Sequence, residues 1–237
     1  MGFFALSEGE RLALLLSLRV AGLAVLIALP LALLIGFILA RYRFFGHTLL
    51  NVLVLMPLVL PPVVTGYLLL IGFGNTGPIG RFLNDVFGVS LAFRWTGAAL
   101  AAGVMAFPLM VRPIRQAIEA VDRNLEVAAR TLGAGRLTIF LTIILPLALP
   151  GILAALILGF AKALGEFGAT ITFVSNIPGE TQTLPLAIYS LLQAPGHGFE
   201  LWRLTLLSLA LAALAVIFSE IMTARAKRHQ GGRDARH

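Results

Sequence analysis

The sequence holds no cysteine. That excludes a disulfide framework, a thiol nucleophile and a cysteine-based metal site. Charge is scarce too, at 12% of residues against about 25% in soluble domains. Catalytic signatures are missing. No G-x-x-x-x-G-K-[ST] run is present to cradle nucleotide phosphates, and no H-E-x-x-H pair to hold zinc. No Ser/His pairing, paired aspartates or histidine cluster falls at membrane depth, so an intramembrane enzyme lacks its reactive groups. The expectation is a non-enzyme with no catalytic residue, no metal and no cofactor. Gly72-x-Gly74-x-x-Gly77 matches the dinucleotide fingerprint in letters only, because it follows an apolar helix rather than a strand.

What the chain has in abundance is apolar surface. Hydrophobic residues make up 59% of it, and mean hydropathy is +0.94. Each membrane span needs roughly 20 apolar residues. Five segments reach or approach that length: Leu12–Ala40, Thr48–Gly72, Thr96–Val111, Leu137–Ala163 and Leu204–Thr223. The third is short and is expected to extend over 94–115, and the last over 202–224. Helices are the default, because backbone amides in lipid must be satisfied internally. The opening residues lack a basic n-region and a cleavage site, so the first run reads as a retained span. The expected fold is all-α, a single polytopic transmembrane domain over 1–237 with about five spans and a flexible basic tail at 225–237.

Charge sets the orientation. Twelve of the 18 Lys and Arg residues fall on one side, at 41–43, 112–136 and 225–236; six fall on the other, including Arg11, Arg19, Lys162 and Arg203. The positive-inside rule puts the first group in the cytoplasm, the N-terminus outside and the C-terminus inside. A net charge of +7 in such a chain needs no nucleic acid to explain it.

Segment 116–136 then becomes a cytoplasmic loop between the third and fourth spans. Leu125, Ala128, Ala129 and Leu132 share one helical face, and Glu126 with Arg130 makes an i,i+4 pair. Gly133 and Gly135 are expected to end the helix with positive φ. Two readings stand: an amphipathic helix lying on the membrane surface, or a docking helix whose small face admits another protein.

Within Glu126–Pro146, the pattern Ala128-Ala129-x3-Gly133-x9-Ile143-x-Leu145-Pro146 resembles the EAA loop of bacterial ABC importer permeases. The resemblance implies a type I importer permease that couples through these residues to cytoplasmic ABC ATPase subunits. Val127 stands where that family carries Glu, and Glu126 lies one position earlier, rotated about 100° on a helix. LMPLVLPPVVTGYLLLIGFG (55–74) and ALGEFGATITFVSNIPGETQTLP (163–185) resemble the molybdate permeases, and sulfate/thiosulfate and tungstate permeases share much of that pattern. The resemblance implies a homodimer in the bacterial inner membrane, fed by an extracytoplasmic oxyanion-binding protein. Asn176–Pro185 is a candidate contact for that protein.

Several residues suit a gated path. Pro57, Pro61 and Pro62 break the second span, and Thr65 and Gly66 follow; a path or hinge role and simple kinking both fit. Gly165, Gly168 and Thr170 are candidate donors to a tetrahedral anion. Lys162 and Glu166 are either functional ionisable groups or snorkelling residues that pair with each other. Gly151, Ala155, Gly159 and Ala163 recur at i,i+4, a small-residue stripe for packing within one subunit or against a second copy. Glu220 is expected to pair with a nearby Arg, and His197 to be solvated. A secondary transporter should show an internal repeat, which five spans with one docking loop do not provide.

Overall fold

The computed structural model describes residues 6–234, with side chains omitted at 218–220 and 222–234. Among the described residues there are eleven α-helices, one π turn and no strand. The order is α1 (Glu8–Arg41), α2 (His47–Val59), α3 (Pro62–Phe73), α4 (Pro78–Phe87), α5 (Trp95–Glu119), α6 (Arg123–Thr131), α7 (Arg136–Ile139), the π turn (Phe140–Ile144), α8 (Leu145–Leu164), α9 (Gly168–Val174), α10 (Leu184–Gln193) and α11 (Gly198–Asp234). The tail expected at 225–237 continues α11 as backbone through Asp234; its side chains, and that of Glu220, lie outside the described residues.

Four stretches are long and apolar enough to cross a membrane: Glu8–Arg41, Trp95–Glu119, Arg136–Leu164 and Gly198–Ile217. The fifth expected span is not a straight helix. The chain bends by 114° between α2 and α3, where Pro61 and Pro62 interrupt the hydrogen-bond ladder. The pair nevertheless joins opposite faces. His47, at the start of α2, bonds the Leu39 carbonyl near the end of α1, and Asn51 accepts from Arg115 near the end of α5. Beyond α3, Asn75 accepts from Ser90, just before α5 begins. These contacts fit one broken span, which brings the candidate spans from four to five.

Contacts at the helix ends fix the relative directions. Glu10 near the start of α1 is ion-paired with Arg203 near the start of α11 at 2.5 Å. Arg19 stacks on Trp95 at the start of α5, 3.7 Å from the ring centroid. Arg41 at the end of α1 meets α6. So α1 and α11 start on the same face of the bundle, and α6 lies against the opposite end of α1. A capping box of Ser7 and Glu10 starts α1.

The core sits where α1, α5 and α8 meet, and it is built from small residues. Ala98, Ala101, Ala102 and Ala106 of α5 are fully buried. The stripe Gly151, Ala155, Gly159 and Ala163 packs against α5 of the same chain. A Cβ on Gly151 would lie 2.3 Å from Ala117 Cβ, and one on Gly159 would lie 2.6 Å from Met110 Cγ. Close backbone approach replaces hydrophobic drive in lipid, where tails are as apolar as leucine.

Candidate functional site

Two regions bring the expected site residues together, one at each end of α8. The first is α6. Asp122 caps it, accepting from the Asn124 amide at 2.9 Å. Gly133 ends it at φ +84°, and the Ala134 amide closes back on the Ala129 carbonyl. Gly135 departs from expectation. Its φ is −71°, and it serves as the N-cap of α7, because the stop needs only one left-handed residue.

The orientation of α6 settles which residues face which way. Glu126 turns inward and is 8% exposed. Its Oε1 lies 2.8 Å from Arg41 Nη2, and its Oε2 lies 3.6 Å from Arg130. The pair read within the helix is thus the weaker of the two; the cross-helix partner on α1 is invisible to local spacing. Arg41 also donates to the Val121 carbonyl at 3.1 Å, which ties α1 to the hinge before α6. Val127, by contrast, is 56% exposed, alongside Leu125, Ala128 and Leu132. Ala129 is half-buried beneath. The outer face therefore presents apolar side chains away from the bundle. Ile143 and Leu145 flank the end of the π turn and are half-buried in the α1–α5–α8 core, and Pro146 opens α8. They position α6 rather than extend its surface.

The second region is the meeting of two helix breaks. α8 stops at Leu164; Gly165, Glu166 and Phe167 intervene; α9 then continues as a short buried helix. The stretch after the fourth span is thus a helix continuing beyond a break. Its first residue touches the other break: a Cβ on Gly168 would lie 2.7 Å from Pro62 Cβ. A Cβ on Gly66 would lie 2.5 Å from the Ala169 carbonyl oxygen. Only glycine fits at either contact. Thr65 and Thr170 are buried in this seam, and Thr65 Oγ1 has no hydrogen-bond partner there.

Lys162 and Glu166 pair at 2.5 Å, but not by snorkelling. The Glu166 side chain is 1% exposed and that of Lys162 29%. Glu166 Oε1 accepts the Ala169 amide at 3.1 Å, so the carboxylate caps the first turn of α9 as well as neutralising Lys162. Of the two alternatives, the pairing is present, but a carboxylate this buried does not fit a snorkelling residue. It also occupies the Ala169 amide, between the candidate donors Gly168 and Thr170. Gly165 alone of this group is exposed.

The loop after α9 is ordered by its own bonds. Thr181 Oγ1 accepts the Ile177 amide at 2.9 Å and donates to the Ser175 carbonyl, and Asn176 donates to Ser190 at 2.7 Å. Ser17 of α1 accepts the Leu184 amide at 2.6 Å and fixes α10. His197 is half-exposed and contacts Glu200. Sequence reasoning missed Glu10–Arg203 and Arg41–Glu126; an acid and an arginine at matching ends of separate spans was the available signal. Among the described residues no group of three or more His, Cys, Asp or Glu could hold a metal ion.

An exposed helix on one face and a glycine-lined seam at helix breaks toward the other are set in a bundle of four to five candidate spans. Residues 32–228 match the family described as the binding-protein-dependent transport system inner membrane component. The chain belongs to that family. It is 55% identical over 228 residues to the molybdenum transport system permease protein ModB of Escherichia coli (strain K12), covering 96% of this chain and 99% of the relative. It is 52% identical to the ModB protein of Haemophilus influenzae, covering 91% and 94%. A solved bacterial ABC transporter that imports the acidic polysaccharide alginate shares its fold, with a TM-score of 0.72, 18% identity and coverage of 93% of this chain and 80% of that one. The chain is therefore a multi-pass inner-membrane permease of an ABC importer.

Proposed function

We propose that this permease forms the membrane path for molybdate, driven by ATP that a separate subunit hydrolyses. One observation carries the assignment: 55% identity to a molybdenum permease across essentially the full length of both chains. The chain itself catalyses nothing. Cytoplasmic ABC ATPases dock on the outer face of α6, where Leu125 and Leu132 are exposed. An extracytoplasmic oxyanion-binding protein delivers the ion at the opposite face, where the ordered 176–185 loop lies. A second copy completes the pore, and the α6 face is cytoplasmic. Its cations Arg41, Arg115, Arg123, Arg130 and Arg136 support that orientation.

The seam between α3 and α9 is the gate. Its donors are buried or already bonded, which fits a closed state. The Lys162–Glu166 pair holds α9 in register while the seam is shut. Force enters at α6 and passes through the Arg41–Glu126 pair to α1, and through α7 and the π turn to α8, whose far end is the gate. Reconstitution into vesicles with a P-loop ATPase and a molybdate-loaded binding protein tests the assignment. Uptake should require ATP and all three components, and tungstate should compete more strongly than sulfate. Uptake without the ATPase, or stronger competition by sulfate than by tungstate, would contradict it.

A further inference from the structure

We infer that the inner flank of α6 carries a binding site for the headgroup of an anionic phospholipid. A cleft of about 390 Å³ opens between the end of α1, α6 and the α7–π segment. Four arginines line it: Arg41, Arg123, Arg130 and Arg136, against the single carboxylate Glu126. Arg123 and Arg136 enter no ion pair among the described residues, and both are exposed. Arg41 is different. Its side chain is 7% exposed, and its Nε is buried with no hydrogen-bond partner. That leaves one unsatisfied N–H donor in a residue that lines the cleft, next to the Nη2 that holds Glu126 and the Val121 carbonyl.

The walls identify the acceptor. Phe37, Ile139 and Ile144 form an apolar side to the cleft. Leu137 and Leu141, on the same α7–π segment that supplies Ile139 and Ile144, are 69% and 50% exposed. A free oxyanion gains nothing from that floor. A phosphodiester on acyl chains satisfies both parts, its phosphate among the arginines and its chains along the leucines. Basic pockets between spans are suited to such headgroups. Bound there, the lipid would fasten α6 to α1 and α7, and so stiffen the linkage that carries coupling. The site rests on the family's membrane setting and not on which ion is transported.

The test uses the full chain, delipidated in zwitterionic detergent, with dioleoylphosphatidylglycerol and dioleoylphosphatidylcholine as probes of equal chain length. Native mass spectrometry and melting temperature are the readouts. Phosphatidylglycerol should bind and raise the melting temperature, and phosphatidylcholine should not. Combining Arg123→Gln with Arg136→Gln should weaken that binding roughly 30-fold, at the per-charge scale of basic residues on anionic lipid. The matching double lysine variant should stay within a few-fold of the parent, because charge is kept. Equal binding of the two lipids, or unchanged affinity in the glutamine variant, overturns the site. So does the same melting shift from inorganic phosphate or molybdate alone, which would mark a free-anion site. Loss of ATPase assembly in the glutamine variant with phosphatidylglycerol binding intact would assign the arginines to the ATPase instead.

Discussion

The two ends of α8 are held by opposite means. At the α6 end, a short polar helix rests on the bundle through charge: one buried ion pair to Arg41 and a longer one to Arg130. At the α9 end, two broken helices meet backbone to backbone across Gly66 and Gly168 with no room for a Cβ. Charge tolerates rotation and small shifts, because a salt bridge stretches by tenths of an ångström at modest loss. A glycine seam has one packed arrangement. The difference suits a device in which one end receives motion and the other either closes or separates.

The sharpest way to break this contrast is to fill the seam. Gly66→Leu places atoms inside the Ala169 carbonyl contact, and overpacking of this kind costs about 1–3 kcal/mol or more. Uptake should fall more than tenfold while the chain still reaches the membrane, as checked by transport of labelled molybdate and by blotting of membrane fractions. A variant with normal uptake would mean that the seam does not form.

Removing the pair beneath the seam should do less. Glu166→Gln leaves Lys162 without its counter-charge; breaking a fully buried pair costs about 3–5 kcal/mol, and the part-exposed Lys162 lowers that figure. The melting temperature should drop, and Lys162→Met on the same background should recover part of the loss. No recovery would show that Glu166 acts through its cap on Ala169 rather than through the charge pair.

At the α6 end, Glu126→Gln should release Arg41 at a loss of about 1.5–3 kcal/mol, the scale of a hydrogen bond to a charged group. Amide exchange should quicken over 123–132 and stay unchanged over 168–174. Equal quickening at both ends would erase the distinction between them. Gly133→Asp, at φ +84°, should uncouple uptake while leaving membrane insertion intact.

The smallest effect belongs to Val127. Its side chain is 56% exposed, so Val127→Glu meets no buried partner and should alter stability by less than about 0.5 kcal/mol. Uptake should stay within about twofold. A large loss would mean that this position packs apolar-to-apolar against the ATPase, and that the exposed valine is itself a docking contact.

Much of the bundle was legible because lipid imposes length and helix on any apolar run. The end of α6 was legible from Gly133 and the change in periodicity; its start after Asp122 was not, since the helix-forming run extends back without a proline or glycine to mark the break. The breaks were legible too, since proline at 61–62 and glycine at 165 and 168 announce themselves. What those breaks touch was not. Nothing local says that Gly168 meets Pro62, or that Glu126 prefers Arg41 to Arg130, since contacts between distant segments depend on helix rotation and tilt. Gly135 was misread because glycine suits both a left-handed stop and an extended cap. Sequence leaves Glu166 between a functional group and a snorkelling partner of Lys162, because it does not show that a helix break draws the side chain inward to cap α9.

The central claim is that the outer face of α6 receives the ATPase. The chain lacks cysteine, so a single introduced thiol reports without background. Leu132, at 88% exposure, is the place for it. In vesicles holding the Leu132→Cys permease and its ATPase, a short thiol-reactive crosslinker should join the two chains, with a yield that changes between nucleotide-free and ATP-bound states. A crosslink that never forms from Leu132→Cys or Leu125→Cys, in vesicles that still import molybdate on ATP, would contradict the account.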